Sequence, residues 1–570
     1  MLGAAERGCG LEPTKRKNIS PRRPRDMSNE LHHLTIARGS SLIRAGALSP
    51  VTWTEHLLAR IAALDPVLDA FVRVTGERAL AQARVAEDEI ARGAYRGPLH
   101  GVPYAAKDIY DTGGIATTGQ SRVCQFRVPE RDATAVSRLD QAGAILLGKL
   151  TTHEFAYGGP SFDLPWPPAR NPWDARRFSG GSSSGSGVAV AAGLVPAALG
   201  SDTAGSIRQP AAFCGVAGMK PTPGLVSRAG VLPFSQSTDV CGPLAWTVED
   251  CAIVLGALAG LDADDPQSAD VAVPDFRAAL DGDIRGTRIG VVRHFHQRDR
   301  KADQAVVRAV DDALAVLAGL GAEIEDVTLS ALDDFAACLW VITCAEIGAV
   351  HGAGLRARAG DFGENFRYRT VPGAAISAVD YVQAQRHRRA LIAEVARALS
   401  GFDALVTASV PTPAPLFEDV SLVSAFASRG INHAFSAAAV PALAVCCGFT
   451  DQGLPLSLTV AGRAFDDAGV LKIGHAYEAA CPWRERRPRI DATVSLPPGP
   501  GPETPAPGAR RQHAELLAAW AEMPLGARQR DQLAEAFPYI DGMIERVFRD
   551  HAYEDEPAYV FEFAQEYLRR

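Results

Sequence analysis

Ligand sets for a metal are missing from this chain. Its ten cysteines are scattered, only Cys446 and Cys447 are adjacent, and no C-x-x-C or H-E-x-x-H occurs. Zinc ribbons and zincin helices are therefore excluded as readings. An excess of positive charge is missing too. With 58 Lys and Arg against 66 Asp and Glu, the formal net charge is −8, which supplies no electrostatic footprint for nucleic acid. No stretch approaches the ~18 uninterrupted apolar residues of a membrane span, because the run from Val188 is broken at Gly193 and Pro196. Residues 1–26 are basic and polar, with Lys15, Arg16 and Lys17 and then Arg22, Arg23 and Arg25. They lack the apolar core of a secretory signal. They read as a disordered tail, as a nucleic-acid arm or, the reading favoured here, as a non-native extension upstream of a start at Met27. A cytoplasmic protein is expected.

What the chain does have is small residues in a pattern. From Phe178 to Pro221 it runs FSGGSSSGSGVAVAAGLVPAALGSDTAGSIRQPAAFCGVAGMKP. Gly/Ser clusters usually mark flexible linkers, but here they alternate with core-like runs such as Val188 to Ala192 and Pro210 to Phe213. Glycine in that setting allows positive φ and close backbone approach. A phosphate loop fails on detail, since there is no G-x-x-x-x-G-K-[ST] and GSGVAV is not G-x-G-x-x-G. Serines in both clusters, no His–Asp pair beside them, and Lys107 in the apolar segment PYAAKDIYD suggest serine chemistry with lysine as base.

These segments, with GVPYAAKD, GAILLGKLTTHEFAYGG (Gly143 to Gly159), NPWD and GLPLSLTVAGRAFDDAGVL (Gly453 to Leu471), resemble the amidase signature family of serine hydrolases. The resemblance spans most of Leu31 to Arg489 in the family's order. It implies an α/β fold, a mixed β-sheet core covered by helices on both faces. It also implies that Ser206 is the nucleophile, Ser182 a bridging serine after a cis peptide from Gly181, and Lys107 the general base. The N–H groups of Thr203, Ala204, Gly205 and Ser206 would form the oxyanion hole, and no metal or organic cofactor is needed. Gly181, Ser183 and Arg208 are candidate substrate contacts, with Arg208 equally readable as an ion-pair partner for Asp202. The chain departs from the family pattern at Ala204 (usually glycine), Ser436 (usually asparagine) and Thr459 (commonly glutamine).

The chemistry demands such an arrangement. A serine hydroxyl is a weak nucleophile until a base takes its proton, and a free lysine, with pKa near 10.4, is charged at neutral pH. Burial lowers that pKa by up to 3–5 units. Asp108, directly after Lys107, is expected to oppose the shift. Cys214 and Cys241 read as inert packing residues, and the His153–Glu154 pair as structural. The pocket is expected from residues 340–385 and 407–432, with Arg367, Arg369 and Arg386 as further carboxylate-holding candidates.

Helical spacing is expected over 302–320, and buried strands near 287–292, 403–407 and 441–447. Leu496 to Gly508 is proline-rich and cannot make ladders. Beyond it, Leu516, Leu517, Trp520 and Met523 fall on one helical face and Ile540, Ile544, Val547 and Phe548 on another, after a break at Pro538. The expected domains are thus 1–26, a catalytic domain over 27–490, a linker over 491–509 and a small all-α segment over 510–570. That segment resembles the small helical accessory proteins that pair with some amidase-signature hydrolases; a generic dimerisation tail is the other reading. The sequence thus points to an amidohydrolase of a small amide or ureido acid, binding neither nucleic acid nor membrane. It would be homo-oligomeric (a dimer), with its C-terminal helices packed on the catalytic domain. A glutamine amidotransferase A-subunit-like protein and a non-catalytic interaction protein are the alternatives.

Overall fold

The structure, a computed structural model, describes residues 30–420, 430–493 and 527–547. Among these, eleven strands form one mixed sheet. In chain order they are β1 (Phe71–Val74), β2 (Pro103–Lys107), β3 (Ile145–Leu150), β4 (Ala197–Asp202), β5 (Ala217–Lys220), β6 (Val240–Ala245), β7 (Arg288–Val291), β8 (Glu323–Asp326), β9 (Ala404–Ala408), β10 (Ala442–Phe449) and β11 (Pro455–Gly462). Across the sheet the order is β1-β3-β2-β4-β6-β5-β10-β11-β9-β7-β8. β3, β2 and β4 run parallel, as do β9, β7 and β8, while β4 to β9 are joined by antiparallel pairings. Every residue of β2, β3, β4, β6, β9 and β11 is buried. Strands buried on both faces read as continuous small and apolar runs rather than alternations, which is why PYAAK and AALGSD form central strands. Exposed residues fall on the edge strands β1 and β8 and at Arg288, the first residue of β7.

The expected helix near 302–320 spans Gln304–Gly319, and the three expected strands correspond to β7, β9 and β10. The helical segment Leu332–Asp361 is long and apolar enough, by length and composition, to cross a membrane, but 67% of its most apolar window is buried inside the protein. It is a core helix, with Phe335, Leu339, Ile342 and Ile347 at 1% exposure or less.

The expected break at Pro538 is not there. The helix Ala527–Val547 runs through it. A proline inside a helix costs about 3 kcal/mol through a lost hydrogen bond and a ring clash. Here Ala536, Ile540, Met543 and Val547 are buried on one face and belong to the main core cluster. Burying one large aliphatic side chain contributes about 1.5–3 kcal/mol, so the packed face outweighs the local penalty. Pro538 itself is exposed. Leu516 to Met523, Phe548, residues 1–29 and all but the first three residues of the expected linker lie outside the described residues.

Candidate active site

Parallel pairing of β2 with β4 aligns Ala105 with Ala198 and Ala106 with Leu199. The C-terminal ends of both strands therefore open on the same crevice, the usual place for a site in such sheets. Lys107 ends β2, and Asp202 ends β4 just before the loop to the helix Arg208–Cys214. Lys107 is fully buried. Its Nζ donates to Ser182 Oγ at 2.6 Å, Ser201 Oγ at 2.9 Å and Ser183 Oγ at 3.1 Å. Burial pushes the ammonium down to about 7, against the opposing charges of Asp239, Cys241 and Asp202. The expected opponent, Asp108, is engaged elsewhere: its carboxylate pairs with Lys149 at 3.1 Å and accepts from the Thr118 N–H and hydroxyl. Asp108 lies in the turn that follows β2, where the chain leaves the strand and aims its carboxylate at Lys149, so adjacency in sequence misassigns this pair.

Among the described residues three lysines are fully buried, and only their partners separate them. Lys149 has Asp108 and Thr117, and Lys220 donates to the Pro221 carbonyl. Lys107 is the one with serine hydroxyls.

The peptide between Gly181 and Ser182 is cis. The Gly181 N–H donates to Gln209 Oε1 at 3.1 Å, and the Ser182 carbonyl accepts from His153 N at 3.1 Å. A Cβ at residue 181 would sit 2.1 Å from His153 Cε1, so only glycine fits. The two serine clusters are tied together where Ser183 N donates to the Ser206 carbonyl at 3.2 Å. Ser182, Ser206, Gly181 and Ala204 line one cavity of about 440 Å³. Trp340, Thr343, Asn365 and Arg369, with Ser409 to Thr412 and Asn432, line it from the two segments expected, while Leu339, Arg300 and Ala156 to Pro160 line it from outside them. A larger cleft, about 670 Å³ and lined by residues such as Arg308, Phe449 and Trp483, holds none of the serines or Lys107.

Two expected assignments, Ser183 and Gly205, need correction, and the open reading of Arg208 falls to its ion-pair alternative. Arg208 is completely buried and is not in the cavity wall. Its guanidinium pairs with Asp202 at 2.9 Å and donates to the Asn432 carbonyl at 3.1 Å and to Ser436 Oγ at 2.6 Å. Burial alone would raise the Asp202 carboxyl, but Arg208 overrides this and holds it below the usual carboxylate range. Ser183 faces inward, accepting from Lys107 and donating to the Ser201 carbonyl at 3.1 Å. Gly205, at φ +116°, commits its N–H to Asp202 Oδ1 at 2.7 Å rather than leaving it as an oxyanion donor. Asp202 also accepts from Ile207 N at 3.2 Å. The turn that presents Ser206 is thus organised around one carboxylate.

The departures from the family pattern have concrete roles. Ser436 is an acceptor for Arg208, and Thr459 Oγ1 lies 2.8 Å from Ser409 Oγ, itself a cavity residue. Sequence reasoning missed Gln209, which anchors Gly181; His153, expected to be structural, packs on that glycine and stacks with Phe178. The imidazole is driven down to about 3 by burial and then by the charges of Lys107 and Arg369. Glu154 accepts from Ser121 Oγ at 2.5 Å and Gly363 N at 2.8 Å, a structural part, its carboxyl raised to about 8 by burial. Of the other arginines, Arg369 lines the cavity, packed against Trp340 and Tyr157 with centroid distances of 4.6 and 5.1 Å. Arg367 instead donates to the Ala359 carbonyl. Cys214 and Cys241 are buried, and burial raises both thiols, Cys241 to about 11. Among the described residues no cluster of His, Cys, Asp or Glu is arranged to hold a metal.

The family model described as Amidase matches residues 52–471. The chain belongs to the amidase signature family. This amidase is 40% identical over 486 residues to the A subunit of the glutamyl-tRNA(Gln) amidotransferase of Chloroflexus aurantiacus, covering 81% of this chain and 99% of that protein. The solved peptide amidase of Stenotrophomonas maltophilia is 31% identical, with a TM-score of 0.69 over 80% of this chain and 98% of that one. A structure described as an unexpected vestigial protein complex, revealing the evolutionary origins of an s-triazine catabolic enzyme, is 34% identical with a TM-score of 0.73. It covers 80% of this chain and 100% of that one. The amidase is an enzyme of carbon–nitrogen amide bonds, and its fold is the mixed-sheet α/β fold of that family.

Proposed function

We propose that this amidase hydrolyses the amide bond of a small substrate through an acyl-enzyme. Ser206 Oγ attacks the carbonyl carbon, its proton passes to Ser182 Oγ, and Ser182 passes its own to Lys107 Nζ. The carbonyl oxygen becomes an oxyanion held by the N–H groups of Thr203, Ala204 and Ser206. Each such donor is typically worth about 2.7–4 kcal/mol in the transition state. Ser182 then protonates the departing nitrogen, the C–N bond breaks, and ammonia or an amine leaves. Water retraces the route to release the acid, again with Ser182 and Lys107 as base. The observation that carries this reading is the Lys107–Ser182 bond of 2.6 Å beside the cavity that holds Ser206, with burial bringing the ammonium to about 7. At neutral pH a large fraction of that lysine is then free to accept a proton.

The described C-terminal helix supports treating the chain as a catalytic part fused to an accessory-like part, with a linker between. A second reading is favoured by the 40% identity to the A subunit of an amidotransferase: the same serine chemistry would release ammonia from glutamine for a partner protein. Ammonia release from a panel of ureido acids, dicarboxylic monoamides, aryl amides and glutamine, compared with Ser206→Ala, tests both. Serine-dependent release from a small amide supports the hydrolase, and release from glutamine alone supports the amidotransferase. Equal rates for wild type and variant remove Ser206 from the mechanism.

A further inference from the structure

Arg300 lines the same cavity as Ser206. Its guanidinium pairs with Asp333 Oδ1 and donates to the Asp299 carbonyl at 2.7 Å. Asp333 opens the helix Leu332–Arg358, whose residues Leu339, Trp340 and Thr343 also wall the cavity. The other oxygen of that carboxylate, Oδ2, faces Arg546 at 3.5 Å, and Arg546 further reaches Asp334 at 3.2 Å. Arg546 belongs to the C-terminal helix, 212 positions beyond Asp334 along the chain. Between the active-site cavity and that helix there is thus a shared carboxylate with an arginine on each side.

We propose that the C-terminal helix is a specificity element of this active site. By drawing on Asp333, Arg546 leaves more of the Arg300 charge directed at the cavity, and so favours amide substrates that carry an anionic group. This rests on the hydrolase reading above. Without Arg546, the Asp333 carboxylate turns more fully to Arg300, and the cavity loses part of its attraction for a carboxylate. The other fixed charges among the described cavity residues are Arg369 and Asp419. Side-chain exposure rises from 18% at Arg300 to 30% at Asp333 and 40% at Arg546. Pairs as exposed as these are partly screened, so the effect on binding is on the order of threefold to fivefold.

The test uses the full chain with two activated esters, p-nitrophenyl acetate and the anionic mono-p-nitrophenyl succinate. Arg546→Met is expected to raise KM for the anionic ester about threefold to fivefold and to leave the neutral ester unchanged. Asp333→Asn is expected to lower KM for the anionic ester, the opposite direction, and roughly 0.5 M salt shrinks both differences. A folding defect moves both esters together and lowers the melting temperature. Parallel changes on the two esters, or none, therefore overturn the relay. Wild-type turnover that Ser206→Ala leaves intact overturns the hydrolase reading instead, and this inference with it.

Discussion

At the scale of single residues, what distinguishes Lys107 from Lys149 and Lys220 is its company. All three are buried, but an ion pair satisfies Lys149 and a backbone carbonyl receives Lys220, whereas three serine hydroxyls surround Lys107. A depressed lysine pKa has a definite sign in kinetics. The neutral base is populated above about 7, so kcat/KM should climb as pH rises through that value and fall below it. A pH–rate profile with no limb between 6 and 8 (roughly one unit either side) would remove Lys107 as the base. Lys107→Arg, which cannot deprotonate, should lower kcat by about 10²–10⁴, measured with the amide that gives the best wild-type rate. Gly181→Ala brings a methyl to 2.1 Å from His153. It is expected to cost most of the activity while the bulk of the fold survives, checked by circular dichroism alongside turnover.

At the scale of elements, the turn from β4 into the helix Arg208–Cys214 is assembled around a buried ion pair. Removing one member of such a pair leaves an unmatched charge in the interior, at a cost of about 3–5 kcal/mol. Arg208→Met should therefore destabilise the protein strongly in urea unfolding, although Arg208 does not line the cavity. A change confined to KM, with unaltered unfolding, would return Arg208 to the substrate. The C-terminal helix holds by its buried face in spite of Pro538. Ile540→Ala should lower stability by about 2–5 kcal/mol if that face is as well packed as the rest of the core.

At the scale of the whole molecule, the mixed sheet places side chains that lie 75 to 94 positions from Lys107 within hydrogen-bond reach of it. The helix Leu332–Arg358 has two clients, the cavity through Leu339, Trp340 and Thr343 and the C-terminal helix through Asp333 and Asp334. Deleting residues 494–570 is expected to bare the apolar contact between those two helices, lowering the melting temperature and shifting KM together. An unchanged melting temperature and KM would show that the tail is an independent appendage.

The sequence by itself determined the family and the α/β class, and singled out Ser182 and Ser206 as candidates, because the signature is long and local. Its small residues are required within a few positions of one another, and that requirement is written contiguously from Gly180 to Ser206. Buried strands were legible near 287–292, 403–407 and 441–447 for the same reason, since a strand covered on both faces must be apolar throughout. Only the tertiary structure decided which carboxylate faces which cation. Asp108 goes to Lys149, and Asp202 takes Arg208 and the Gly205 N–H. Those choices depend on where the chain leaves each strand and on loops brought together across the sheet. The same holds for Pro538, where local propensity argues for a break and long-range burial of one helix face decides against it.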